Sequence, residues 1–168
     1  MKKIIYFITL AVFLIGFIFN SNAQIVNSPL TGQQFKGSVF INAPGEKIWS
    51  LLTDVKKHSA IMGSEYKGGA KTFSKVGESA RLKEMGDEGT LFLSFINKPS
   101  ELRFEWEVDG GSYLCQERWL LSAENKGTKV TFIERYTESG KQSSEELSKQ
   151  TEYYSEALKR LKQMSESK

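Results

Sequence analysis

The hydrophobic pattern changes from alternation to helical spacing near residue 44. Residues 35–41 alternate apolar and polar side chains, which predicts a half-buried strand. Pro44 then favours a helix start, because a proline in the first turn loses no hydrogen bond. The apolar positions that follow at helical spacing are Ile48, Trp49, Leu51, Leu52 and Val55. We expect Trp49 to lie in the core, and a second short helix over residues 55–62 to end before Gly63.

Residues 66–138 return to strand patterns separated by turn signals. Glycine, asparagine, aspartate and proline supply the turns, since they favour tight backbone reversals. The predicted turns cover residues 86–89, 97–100, 109–111 and 124–127. The predicted strands cover residues 66–74, 78–85, 90–96, 102–108, 112–122 and 128–138. Together with the first strand, this gives seven strands, of which six follow one another directly.

The chain ends in one long predicted helix. Ser143 or Ser144 can cap it, because a serine oxygen accepts from a free backbone N–H of the first turn. One stripe of residues falls three and four apart: Leu147, Thr151, Tyr154, Leu158 and Leu161. This stripe must bury against a partner, and the sheet is the only large one. We therefore expect Leu158 to be fully buried.

The N-terminus has the pattern of a secretory signal. Lys2 and Lys3 precede an apolar run over residues 4–19, and small residues follow at Ser21 and Ala23. We predict a signal peptide over residues 1–23, a flexible lead-in over 24–33 and a single domain over 34–166. The protein would then be exported, periplasmic or secreted, with no membrane span after cleavage. The alternative is an uncleaved anchor, because the apolar run is only slightly short for a span.

Composition excludes several kinds of site. The 168 residues contain one cysteine and one histidine, which excludes an internal disulfide and any centre built from several of either residue. No cofactor motif is present, so we expect neither cofactor nor metal. Cleavage would lower the net charge from +3 to +1, which gives no argument for a nucleic-acid partner. We expect Cys115 to be a buried small hydrophobe and His58, in a polar stretch, to be exposed.

The turns also allow a strand register to be proposed. The four pairs are Leu82 with Leu93, Leu93 with Phe104, Phe104 with Glu117, and Trp119 with Phe132. This register places one set of alternating residues on the face towards the C-terminal helix. That set is Ala80, Leu82, Glu84, Leu91, Leu93, Phe95, Leu102, Phe104, Trp106, Val108, Tyr113, Cys115, Glu117, Trp119, Leu121, Val130, Phe132, Glu134 and Tyr136.

Three carboxylates lie on this otherwise apolar face. Glu84 is one, and the register sets Glu117 directly opposite Glu134, with Cβ atoms ~5 Å apart. Two buried like charges raise at least one pKa, and such carboxyls are candidates for acid–base chemistry. One alternative is that water solvates the carboxylates at the cavity mouth. The other is that the side chain of Arg118 or Arg135 reaches round the strand and neutralises the charge. Three inward tyrosines could hydrogen-bond a ligand or only pack: Tyr113, Tyr136 and Tyr154.

The order of elements resembles the SRPBCC superfamily. This is the helix-grip group of START lipid-transfer domains, birch-pollen-allergen-like proteins, polyketide cyclases and heat-shock ATPase-activator homologues. Residues 39–54, read VFINAPGEKIWSLLTD, are similar to the first strand and helix of that family. Residues 127–132 resemble its last hairpin, and residues 154–161 its closing helix, with Tyr154 where many members carry tryptophan. The resemblance covers residues 35–162.

The resemblance implies an α+β helix-grip fold. A curved seven-stranded antiparallel sheet would wrap round the long C-terminal helix, with two short helices after the first strand and a cavity between sheet and helix. The expected lining is Leu82, Glu84, Leu93, Phe95, Phe104, Trp106, Tyr113, Cys115, Glu117, Trp119, Phe132, Glu134, Tyr136, Tyr154 and Leu158.

The leading functional hypothesis is an exported binding protein for a hydrophobic small molecule, lipid-like or aromatic. An apolar concave face with a few polar groups is typical of small-molecule sites. One alternative is a cyclase- or hydrolase-type enzyme with Glu117 or Glu134 as general acid/base. The other is a protein–protein module like the heat-shock activator homologues, and the identity of any protein partner stays open.

Overall fold

The computed structural model describes residues 34–111, 113–138 and 143–167, with the side chains of 136–138 left out. The predicted signal peptide and lead-in, residues 1–33, lie outside the described residues. No helix in the described part of the chain is long and apolar enough to cross a membrane.

The described strands form one antiparallel sheet. Their bounds are β1 Gln34–Ile41, β2 Glu65–Gly69, β3 Ser79–Glu84, β4 Asp87–Asn97, β5 Glu101–Val108, β6 Tyr113–Glu124 and β7 Gly127–Glu138. The spatial order is β1-β7-β6-β5-β4-β3-β2, so the first strand pairs with the last and the others follow as a meander. The seven-stranded antiparallel sheet predicted from the sequence is therefore confirmed.

Three helices complete the fold of the described residues, and each begins at a residue suited to that position. They are α1 Gly45–Thr53, α2 Val55–Met62 and α3 Ser144–Glu166. Pro44 precedes α1, and the Asp54 side chain accepts from the backbone N–H of Lys57 to cap α2. Ser143 and Glu146 form a reciprocal capping box that satisfies two otherwise free N–H groups at the start of α3.

The C-terminal half of α3 packs against the sheet and both short helices. Leu158 is fully buried, as predicted, together with Tyr154, Ala157 and Leu161. The approach to β1 is so close that a Cβ at Gly37 would lie 2.8 Å from Leu158 Cδ1. Trp49 also lies in this core, as expected.

Two strand boundaries differ from prediction, and the first concerns β2. This strand ends at Gly69 rather than at residue 74, and the chain then runs back to the junction of α1 and α2. Asp54 forms an isolated bridge with Thr72, and the Phe73 N–H donates to the Thr53 carbonyl at 2.8 Å. These bonds place the Phe73 ring in the core, where it is 1% exposed.

The second difference is the turn between β3 and β4. The sequence predicts a turn over residues 86–89. The structure instead has a two-residue turn at Met85 and Gly86, both of which have positive φ. Strand β4 therefore begins at Asp87. The predicted pairing of Leu82 with Leu93 is therefore wrong, because Leu82 pairs with Gly89. Leu82 still faces inward, since the shift is an even number of residues.

A β-bulge overturns the predicted position of Phe95. The register of β4 against β5 shifts between Leu93 and Phe95, so Phe95 pairs with Arg103 on the outer face. Its side chain is 37% exposed, and the Arg103 guanidinium lies 4.7 Å from the ring centroid. Ile96 opposite Leu102 packs against the core instead.

The remaining predicted pairs are confirmed. Leu93 pairs with Phe104, Phe104 with Glu117, and Trp119 with Phe132. The last pair holds because the β6–β7 hairpin turns at residues 125–126 without an intervening bulge.

Candidate functional site

A cavity of about 260 Å³ lies between the sheet and the first half of α3. Its lining is Glu84, Met85, Asp87, Trp106, Tyr113, Cys115, Glu117, Glu134, Glu146, Lys149, Gln150 and Tyr154. The sheet side of the lining is mostly buried, whereas Glu146 and Lys149 of α3 and Met85 and Asp87 at the β3–β4 turn are exposed at its mouth. The cavity is thus a pocket with a closed floor, opening beside the start of α3.

The predicted site residues fall into three groups. Seven line the cavity: Glu84, Trp106, Tyr113, Cys115, Glu117, Glu134 and Tyr154. Six are buried in the closed core beyond it: Leu82, Leu93, Phe104, Trp119, Phe132 and Leu158. Phe95 lies on the outer face, and the Tyr136 side chain is outside the described part of the structure.

Five lining residues were not predicted. They are Met85, Asp87, Glu146, Lys149 and Gln150. A signal for two of them is present in the sequence, because Glu146 and Gln150 precede Tyr154 at intervals of four and so share its helix face. Met85 and Asp87 come from the turn whose length was predicted incorrectly.

The cavity floor contains the predicted carboxylate pair. Glu117 on β6 lies directly opposite Glu134 on β7, and each residue is only 2% exposed. Neither neighbouring arginine reaches this pair, because Arg118 Nε donates to Glu101 and Arg135 Nε donates to Gln34. The pair is therefore buried without the arginine partner considered from the sequence.

His58 is the partner that sequence reasoning missed. It is fully buried rather than exposed, and its Nε2 lies 3.4 Å from Glu117 Oε2. Its ring centroid is 4.8 Å from that of Phe104. A signal exists in α2, because Val55 and Ser59 are buried and His58 lies on the same side of the helix, three residues after Val55.

The hydrogen bonds of His58 restrict the position of its proton. Nδ1 lies 3.2 Å from the Leu52 carbonyl, which can only accept, so Nδ1 carries a hydrogen. Nε2 then faces Glu117 at an ion-pair distance, without the alignment of a hydrogen bond. Two lone pairs would oppose each other unless His58 or Glu117 carries a further proton. Trp119 Nε1 also donates to Glu117 Oε2, at 3.2 Å.

Glu134 is the least satisfied group in the floor. Burial raises its pKa well above the usual range, and the charges of Glu117 and Glu84 add to this effect. A hydrogen bond from the Cys115 thiol acts in the opposite direction. Glu134 Oε2 has no hydrogen-bond partner among the described residues. The prediction that the Glu117–Glu134 pairing raises at least one pKa is thus confirmed.

Glu84 extends the acidic cluster towards the mouth. Burial raises its pKa to about 8, with a further contribution from the charge of Glu117. The Tyr153 hydroxyl acts in the opposite direction and lowers this pKa, although it has no partner of normal hydrogen-bond geometry in the described structure. Cys115 is buried, as predicted, and burial raises the pKa of its thiol.

The mouth is lined by polar groups that are already engaged. The Tyr113 hydroxyl donates to Asp87 Oδ2 at 2.8 Å, and burial raises the pKa of this tyrosine. Lys149 Nζ pairs with Glu145 at 2.8 Å, and Glu146 is held by the capping box. No group of three or more His, Cys, Asp or Glu side chains in the described chain is arranged to hold a metal ion.

Comparison with known proteins gives structural relatives only. No protein-family profile matches the chain, and no curated protein matches it in sequence. CalU16 from Micromonospora echinospora superimposes with a TM-score of 0.60 at 18% identity, covering 86% of this chain and 85% of that one. DynU16, from the dynemicin biosynthetic locus, gives 0.61 at 19% identity over 78% of this chain, but only 46% of its own length.

A third neighbour is the Aha1 dimer from Colwellia psychrerythraea. It superimposes with a TM-score of 0.60 at 16% identity, covering 79% of this chain and 96% of that one. These superpositions agree with a helix-grip fold, which the sequence predicted for this chain. At these identities the likeness defines the fold alone.

Proposed function

We propose that the protein binds a hydrophobic small molecule in the cavity between the sheet and α3. The observation that carries this proposal is the pocket itself, which has a closed floor and aromatic walls. Trp106 and Tyr154 are each about 5% exposed and supply apolar surface, while a few polar groups converge on the same space. This combination is typical of small-molecule sites, and about 260 Å³ suits a compound of one or two rings.

The structural neighbours support a ligand-binding or cyclase-type module. One of them comes from a biosynthetic locus, that of dynemicin, which accords with small-molecule chemistry. We prefer binding to catalysis for this chain. The described residues support a small-molecule pocket more strongly than they support a set of catalytic groups.

Native mass spectrometry of the protein purified from its own host tests this proposal. We expect an apolar molecule to co-purify with the wild type. Cys115→Phe would fill the cavity from its wall and abolish retention, provided that thermal unfolding shows the variant folded. Leu114→Phe is the matched control, since this neighbour on β6 is 41% exposed. An empty wild-type protein, or equal retention by both variants, would contradict the proposal.

Acid–base catalysis is a second candidate, favoured by the contact of His58 with Glu117. A histidine that orients a buried carboxyl is a common part of proton-transfer sites. Glu117 lines the cavity and His58 lies behind it, so Glu117 would exchange the proton with a bound compound. Conversion of the co-purified molecule by the wild type, lost in Glu117→Gln but not in Glu107→Gln on the exposed face of β5, would establish an enzyme.

We also propose that the protein is exported. The support is the N-terminal pattern of two lysines, an apolar run and small residues before Gln24. N-terminal sequencing of the protein from its host should begin at Gln24. Recovery of a chain that begins at Met1 in the membrane fraction would show an anchored domain instead.

A further inference from the structure

Two buried acceptor atoms on cavity-lining residues lack a hydrogen-bond partner among the described residues, Glu134 Oε2 and Gln150 Oε1. Glu134 Oε2 makes no hydrogen bond with any described residue, although Glu134 is 2% exposed and lines the cavity. Leaving such a group unpaired costs free energy, because water is removed and nothing replaces it. A ligand that donates a hydrogen at this point would satisfy Glu134.

The charges around the cavity define the kind of donor further. The titratable groups that face the floor or lie next to it are Glu84, Asp87, Tyr113, Cys115, Glu117, Glu134, Glu146, Lys149, Tyr153 and Tyr154, with His58 behind Glu117 and Arg160 near Tyr153. Five of these are acids. Lys149 is 67% exposed and pairs with Glu145, so its charge is directed away from the floor. The pocket is thus rich in acceptors and poor in cations.

We infer that the ligand, if the proposed binding function holds, carries a protonated amine at one end of an aromatic body, with the amine against Glu134 and the ring beside Trp106 and Tyr154. An ammonium group has three donors and no acceptor, which complements an unpaired carboxylate oxygen. The aromatic walls also favour a cation, because the ring faces are electron-rich. A neutral apolar compound would leave Glu134 unpaired.

Binding of an amine should therefore depend on pH. Burial and neighbouring charge hold the pKa of Glu84 at about 8 and raise that of Glu134 well above its usual range, so each carboxyl keeps its proton to a higher pH than a free glutamate does. A bound cation favours their ionised forms and drives release of a proton. Affinity for the amine should rise from pH 6 to pH 9, below the ~10.4 of a primary amine.

Titration calorimetry with a matched pair of probes tests this inference. Tryptamine and indole-3-ethanol share the ring and the two-carbon chain but differ in the terminal ammonium or hydroxyl. We expect the full protein to bind tryptamine at least about tenfold more tightly at pH 8, with a smaller preference at pH 6. Measurements in two buffers of different ionisation enthalpy should show net proton release for the amine only.

Substitution of Glu134 tests whether the amine contacts this residue. Glu134→Gln should remove the preference for tryptamine and leave binding of the alcohol within about twofold, because glutamine keeps the shape without the charge. Glu107→Gln, on the exposed outer side of β5, should keep the preference and so controls for the lost charge.

The outcomes separate this inference from the proposed function. Equal or tighter binding of the alcohol, or a preference retained in Glu134→Gln, would overturn the amine while leaving a small-molecule site in place. Binding of neither probe would also overturn it. The proposed function fails only by its own test, in which native mass spectrometry finds no molecule retained.

Discussion

The inward face of the sheet is a closed core at one end and a cavity at the other, although the same strands form both. On β7, Phe132 packs against Trp119 with ring centroids 4.3 Å apart, while Glu134 two residues later lines the cavity. On β6 the order along the chain is reversed, because Glu117 lines the cavity and Trp119, two residues later, lies in the closed core. A step of two residues therefore separates packed rings from buried carboxyls.

Helix α3 also contacts the closed core with one half and the cavity with the other. Its later turns bury Ala157, Leu158 and Leu161, which fill the space above the sheet. Its earlier turns place Glu146 and Gln150 at the cavity, and these leave the space open. Buried carboxyls are unfavourable for folding, so the closed end must supply the stability that offsets them. The two ends should consequently respond differently to substitution.

The largest effect is expected at the closed end. Leu158→Ala should lower the free energy of unfolding by about 2–5 kcal/mol, through lost apolar burial and the cavity left behind. Urea unfolding at neutral pH measures this loss. Lys159→Ala, at the next, exposed position, should change little. A loss below about 1 kcal/mol for Leu158→Ala would mean that the closed end already contains free space.

Substitution of His58 tests the boundary between the closed core and the cavity. His58→Phe should cost about 3 kcal/mol, because it removes one member of a buried pair and leaves Glu117 with only the Trp119 N–H as a partner. Urea unfolding at neutral pH measures this loss. Adding Glu117→Gln should recover part of the loss, and no recovery would show that the pair is not coupled.

The comparison also explains what the sequence could predict. The strand-helix-helix order, the cap at Ser143 and the Glu117–Glu134 pairing follow from local patterns, because short hairpin turns fix the register. Phe95 could not be placed, since the bulge beside it leaves no mark in the alternation. The burial of His58 was not predicted because two lysines precede it in the sequence, whereas its partner Glu117 is distant in the chain. Buried polar contacts between distant segments are the part that patterns do not reveal.

A smaller effect, with the opposite sign, is expected at the open end. Glu134→Gln should leave the free energy of unfolding unchanged or raise it by about 1 kcal/mol at pH 8, because it removes a buried charge while keeping the side chain's shape. Carbon-13 NMR of the wild-type carboxyl should show a pKa well above the ~4.3 of a free glutamate. Destabilisation by Glu134→Gln, or a normal titration, would show that the carboxylate is solvated.

The last effect is a dependence on pH, expected at Glu84, where the cavity meets solvent. Its folded-state pKa of about 8 exceeds the unfolded ~4.3, so the folded state binds more protons between these values. Stability from this group is therefore complete below pH ~4.3, falls as pH rises to about 8, and is constant above. Glu84→Gln should flatten this dependence, because glutamine keeps the shape of the side chain and does not titrate. Urea unfolding from pH 5 to pH 9 measures the slope, with Glu107→Gln as control. If the slope of unfolding free energy against pH is unchanged in Glu84→Gln, then Glu84 does not belong to the acidic cluster, which consists of Glu117 and Glu134.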